Sequence, residues 1–176
     1  YGLDNDLKNN FKQIKSSGRI LTVHRYGSSN IHGDNDLVFA IQESIENALE
    51  KVGIENKGRD SLKEAIIRYL SDDLNKQSFN ILVTQGYANL FGGDDVDAIV
   101  KKLGEYSGEA LHALMEKIFK VAHDRQIRAF SMTPEDLTNW IKDVIQANNL
   151  KAIVFIWDEF TEFFLNNSRN LTGFQQ

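Results

Sequence analysis

The stretch Lys151-Ala-Ile-Val-Phe-Ile-Trp157 constrains the fold of this chain more than any other. From Ala152 onward it is apolar without alternation, so the period-2 pattern of a half-solvated strand is missing. Both faces are therefore expected to be buried, as in the interior of a parallel sheet. A parallel strand needs a crossover connection, and the preceding residues supply a helix for it. Thr133-Pro134-Glu135-Asp136 is a helix start: threonine caps, proline takes the first helical position, and acids fill the first turn, where the macrodipole favours them. That helix should run to about Ala147 and turn through Asn148-Asn149-Leu150 into the strand. Asp158 and Glu159 follow the apolar run directly. A further helix carrying Phe160, Phe163 and Phe164 is expected beyond them.

A second short strand is predicted at 20–25, Ile-Leu-Thr-Val-His-Arg, which is β-branched and mostly apolar. Before it, Leu3, Leu7, Phe11 and Ile14 form a helical stripe closed by Ser16-Ser17-Gly18. After it comes a polar loop, 26–36, and then an amphipathic helix over 37–52. The chain has one proline and 12 glycines, which favours long helices over many turns. The middle reads as helical throughout. One helix is expected over 61–76 with Asp60 as cap, or with Ser61 and Glu64 as a capping box one residue later. Residues 79–84 could form a strand, but Ser78 and Gly92-Gly93 bracket 79–91 as a helix; another helix is expected after Asp94 to about Tyr106, and another over 108–126, with a wide apolar face typical of a packed bundle.

At 176 residues the chain suits one domain with a single core. Its 20 Lys and Arg against 25 Asp and Glu leave a net charge of −5, which disfavours direct nucleic-acid contact. The absence of cysteine excludes a disulfide scaffold, a thiolate metal site and a thiol nucleophile, and fits a cytoplasmic protein. The apolar run is too short to span a bilayer, and no signal peptide is visible. The chain opens at Tyr1 and closes in an Asn/Gln-rich stretch, so it is expected to be a piece of something longer.

The succession of helix, tight turn, buried strand, Asp158-Glu159 and helix carries the chemistry. In a parallel α/β sheet, ligands bind beyond the carboxyl ends of the strands. An acidic pair at that place has the form of a Walker B element. Asp158 would hold Mg²⁺ through water, and Glu159 would orient and polarise the water attacking a γ-phosphate. The bland alternative is a buried strand ending in acids that cap the next helix.

A Walker B element requires a phosphate loop, and Gly53-Ile-Glu-Asn-Lys-Gly58-Arg59-Asp60 has the Gly-x-x-x-x-Gly spacing. It fails chemically. It follows a helix instead of a strand, Arg59 stands where the lysine belongs, and Asp60 replaces the Ser/Thr magnesium ligand. It reads as a helix–helix loop.

The segment from Met132 through Trp140-Ile-Lys to Ala152-Ile-Val-Phe-Ile-Trp-Asp158-Glu159-Phe160 resembles the region around the Walker B strand in large P-loop ATPases of BREX-type phage-defence systems (the BrxC/PglY group), distant AAA+ relatives. Residues 20–25 and the loop after them resemble the preceding strand of that fold. The resemblance implies an α/β, mostly helical fold: a partial P-loop NTPase sheet of two parallel strands, with residues 55–130 as a helical insertion. It implies a chain lying between the two Walker motifs, with Asp158 as magnesium ligand, Glu159 as catalytic residue, and ATP and Mg²⁺ as cofactors of the intact parent. The isolated chain should then neither bind nor hydrolyse nucleotide. The strands at 20–25 and 152–157 should pair in parallel, covered by the helices at 37–52 and 133–147. The free edge of the second strand, with Phe155 and Trp157 exposed, should invite self-association. The alternative of another class is a helical protein-interaction module without nucleotide chemistry.

Other constellations are weaker. Glu109-Ala-Leu-His112 has the Glu-x-x-His spacing of di-iron bundles, but no second copy exists. His123 lies about 16 Å along the axis from His112, so the pair cannot share an ion. A solvated helix face is the expectation for both. His24 and His32 flank the loop after the first strand and are expected to be incidental. Asp34-Asn35-Asp36 could ligate a cation but is expected to cap the helix that follows. The Asn166 and Asn170 sequons are expected to be chance.

Overall fold

The computed structural model describes residues 8–10, 12–13, 18–27, 31 and 33–158. The notional helix over 3–14 is helical at its described positions, 8–10 and 12–13. His32, Glu159, the aromatic segment after it and the two sequons lie outside the described residues.

Within them the chain is mostly helical, with a two-stranded parallel sheet. Strand β1 (Arg19–Arg25) and strand β2 (Leu150–Trp157) pair from Ile20 opposite Ala152 to Arg25 opposite Trp157, after an irregularity at Arg19/Ile20. Seven described α-helices lie between the two strands: α1 (Asp34–Lys51), α2 (Leu62–Ser71), α3 (Asp73–Ile81), α4 (Ala88–Phe91), α5 (Val96–Glu105), α6 (Gly108–Arg125) and α7 (Pro134–Ala147).

Local chemistry explains most boundaries. Thr133 and Asp136 form a full capping box at α7, and Ser61 with Glu64 forms one at α2. Asp60, offered as the α2 cap, is instead ion-paired with Arg68. The single helix expected over 61–76 is two helices. Asp72 leaves helical geometry at ψ 130° and its carboxylate accepts the Asn75 amide, so a side chain restarts the helix in a new direction. Helix α3 runs on into a π-turn at Leu82–Gly86. Helix α5 starts one residue later than expected, with Asp95 as cap. Helix α1 starts three residues early, at Asp34. Asp34 and Asp36 therefore sit in its first turn, where they complement the dipole but do not cap; the expected capping role is corrected.

The cap at α7 is directly testable. The Thr133 hydroxyl, then its amide, hold the Asp136 carboxyl below the usual aspartate range. A carboxyl with a lowered folded pKa stabilises fully above its ordinary pKa and loses that contribution as pH falls through the folded value. Thr133→Ala should cost about 1 kcal/mol in urea unfolding at neutral pH. It should also return the Asp136 carboxyl toward its ordinary value in an NMR titration.

A continuous core runs from Leu21 and Val23 through Ile66, Phe79, Ile99, Met115 and Phe130 to Trp140 and Val144. The middle helices thus share one core with the sheet. Helix α1 packs on β1 and α7 on β2. Leu21 and Val23 are buried, with Ile153 and Phe155 partly buried beside them, because these residues share the face that meets the helices.

The expectation that both faces of β2 are buried is corrected. Val154 and Ile156 are exposed, whereas Leu21, Val23, Ile153 and Phe155 on the other face meet the core with α1 and α7. The expected exposure of Phe155 and Trp157 is corrected for the same reason. Phe155 joins the main core, and Trp157 packs on a small cluster of Ile31, Leu37 and Ala40.

Candidate functional site at the carboxyl end of the sheet

Parallel strands put both carboxyl ends, and the amino ends of the helices antiparallel to them, on one side of the molecule. At that side Arg25 and Trp157 end their strands as register partners. The next residue, Asp158, donates its backbone N–H to the Arg25 carbonyl over 2.9 Å. Its position immediately beyond the paired ends is therefore set by a backbone hydrogen bond, and the residue is exposed. An exposed carboxylate is a suitable donor for a hard cation such as Mg²⁺, which keeps several waters and takes only one or two protein oxygens. Among the described residues no three His, Cys, Asp or Glu side chains gather into a metal site. Glu159, the other half of the expected pair, lies outside the described residues.

The end of β2 is stapled to the loop after β1. The Trp157 indole N–H donates to the Gly27 carbonyl at 3.1 Å. Gly27 has φ +74°, a left-handed conformation that glycine adopts without steric cost. The Arg25 guanidinium lies over the Trp157 ring, 5.5 Å from its centroid.

Behind this staple lies a polar network that sequence reasoning missed. Arg25 Nη1 donates to the Ala40 carbonyl and the Ser44 hydroxyl, each at 3.2 Å, and stands 4.0 Å from Glu43 Oε2. The same Glu43 oxygen is 2.7 Å from His112 Nε2. Burial holds the Arg25 guanidinium below its usual pKa, and the Glu43 charge works against that shift. Arg25 Nε is buried without a hydrogen-bond partner. The expectation of a solvated face for His112 is corrected: the ring is buried edge-on against Phe39. Glu109 and His123 are exposed, as is His24. The sequence carried one usable signal, a charged residue ending an otherwise apolar strand, which needs a buried counter-charge. A cavity of about 410 Å³ opens beside the network, lined by Thr22, His24, Arg25, Glu43, Ser44 and Lys51.

A groove of about 610 Å³ runs between the first turns of α1 and α7, lined by Asp34, Asp36, Glu116, Lys120, His123 and Thr133 among others. Four acids line it in all, counting Asp124, against Lys120 and His123, so it would repel phosphate. Asn35, expected to cap, accepts the Met132 amide through Oδ1 at 3.4 Å and so ties the two helix starts together.

The Gly53–Asp60 loop joins α1 to α2 and lies at the opposite end of the sheet. Its amides are already engaged. Lys57 N–H donates to Asn148 Oδ1, Gly58 N–H to Asn56 Oδ1, and Arg59 N–H to Asp143 Oδ2 at 2.7 Å. The Trp140 indole N–H donates to the Arg59 carbonyl and pins the loop to α7. The eight residues of β2 place this loop roughly 25 Å from Asp158 at 3.3 Å per residue. It does not fit a phosphate group.

No protein family, curated protein or solved structure matches the chain. No described helix is long and apolar enough to cross a membrane.

Proposed function

We propose that this chain is the part of a P-loop ATPase of the BREX phage-defence type that lies between the phosphate-binding loop and the acidic strand end. The observation that carries this reading is the position of Asp158. It stands just past the paired carboxyl ends of two parallel strands, tied to Arg25, on the side where the crossover helices begin. Ligands of open parallel sheets bind on that side.

Asp158 would hold Mg²⁺ through water, and Glu159 would orient the attacking water and accept its proton. Bound Mg²⁺·ATP would supply the electrophilic γ-phosphoryl group. The Trp157–Gly27 staple and the Arg25 network would keep the strand ends in register while that chemistry proceeds. The phosphate loop must come from polypeptide outside this chain, because the Gly53–Asp60 amides are spent on Asp143, Asn148 and Asn56.

Two measurements test the reading. The gene should encode Gly-x-x-x-x-Gly-Lys-Ser/Thr within about a hundred codons upstream of Tyr1. Calorimetry of the isolated chain with Mg·ATP should show no binding tighter than about millimolar, since two carboxylates without a phosphate cradle repel the triphosphate. Tight binding would contradict the division of the site between two stretches of polypeptide.

A further inference from the structure

The cavity beside the Arg25 network has cationic walls in a chain whose net charge is −5. Two other hollows follow the acidity of the chain. Four acids line the groove between the first turns of α1 and α7, and a third hollow of about 450 Å³ is lined by Glu46, Glu50, Glu55 and Glu64 without a cation. In the 410 Å³ cavity the balance reverses, with Arg25 and Lys51 against the single carboxylate of Glu43 and with His24 beside them.

That carboxylate is already engaged. Its Oε2 stands 2.7 Å from His112 Nε2 and 4.0 Å from Arg25 Nη1. Arg25 Nε is buried without a partner, and burial holds the guanidinium below its usual pKa, so its charge is incompletely met. Lys51 is exposed and forms no ion pair among the described residues. A cleft with one sign of charge in excess draws in ligands of the other sign.

We propose that this cavity binds a small organic dicarboxylate, one carboxylate against the Arg25 guanidinium and the other against the Lys51 ammonium. Spacing selects that class. Arg25 is bonded to Ser44, and Lys51 follows Ser44 by seven residues on α1, about 10 Å along the helix axis. The flexible lysine stem shortens that gap, so the three-carbon spacer of glutarate bridges the two cations while a single carboxylate meets only one. The volume lies within the range of small-molecule sites, about 300–1,000 Å³. A phosphate group fits less well. It is held best by a cradle of backbone amides, whereas α1 ends at Lys51 and its last turn presents carbonyls. Lys51 also offsets the negative end of the helix dipole, but only the proposed role responds to a ligand. The inference does not depend on nucleotide chemistry.

The two tryptophans supply the readout. The Arg25 guanidinium lies over Trp157, whereas Trp140 is buried and bonded to the Arg59 carbonyl at the opposite end of the sheet. In an NMR titration of the chain at constant ionic strength, glutarate should shift the Trp157 indole resonance, saturating with a Kd of about 1 mM, and leave Trp140 unmoved. Acetate should bind at least about tenfold more weakly. Lys51→Met should weaken glutarate by about tenfold or more, while Lys57→Met, at another exposed lysine, should leave its affinity unchanged. No saturable shift up to about 50 mM glutarate would overturn the proposal. Equal affinity for acetate, or an unchanged affinity in Lys51→Met, would overturn it as well, the latter leaving Lys51 a helix-end charge only. Tighter binding of inorganic phosphate than of glutarate would overturn the assignment of ligand class.

Discussion

If the chain belongs to an ATPase as proposed, Glu159→Gln in the full-length protein is expected to leave nucleotide binding near wild type and to slow single-turnover hydrolysis by about 10²–10⁴, the contribution of a positioned general base. Glutamine keeps the shape and hydrogen bonding of the side chain but removes the charge that polarises water. Asp158→Ala should behave differently. It removes an oxygen that would hold Mg²⁺, so metal and nucleotide affinity should fall together. Thr161→Ala and Glu162→Ala should be tolerated, since the proposed chemistry gives neither residue a role. Rapid-quench hydrolysis beside equilibrium nucleotide binding separates these outcomes. Wild-type hydrolysis by Glu159→Gln would mean that the acids merely end a strand, and the helical interaction module would then be the better reading.

The second large effect concerns the buried network. Glu43→Leu should destabilise the fold by roughly 3–5 kcal/mol, because it leaves Arg25 buried without its counter-charge and removes the partner of His112 Nε2. Urea unfolding measures this directly. Arg25→Met combined with Glu43→Leu should recover the share of the loss that comes from the unpaired guanidinium, since apolar groups then replace both charges, while His112 Nε2 still lacks its partner. An additive double variant would show that Arg25 and Glu43 do not act on each other across their 4.0 Å separation. The two experiments probe different parts of the same region, one the acids that follow β2 in sequence and the other the buried network around Arg25.

Where the signal was local, the sequence sufficed. The Thr133-Pro134 start of α7, the Ser61–Glu64 box, the extent of α6 and the apolar run of β2 were all legible, because capping and periodicity act over three to seven residues. Parallel pairing of β1 with β2 was expected only from the resemblance to P-loop ATPases, in whose strand order the acidic strand lies beside the one that precedes it. The break at Asp72 was missed because an aspartate within a helical pattern does not declare whether its carboxylate will accept a nearby amide.

The Asp158-Glu159 pair could be read as a candidate from its position after an apolar run. Only the tertiary structure set Asp158 against Arg25, through the register of the paired strands, and left Val154 and Ile156 exposed, because the helices α1 and α7 pack with the face carrying Leu21 and Val23. The buried ion network was decided there too. Glu43 and His112 stand 69 residues apart, on helices whose contact no local pattern specifies. Sequence determines elements through short-range chemistry, whereas partners for a buried charge are assigned only when distant surfaces close over it and water can no longer solvate it.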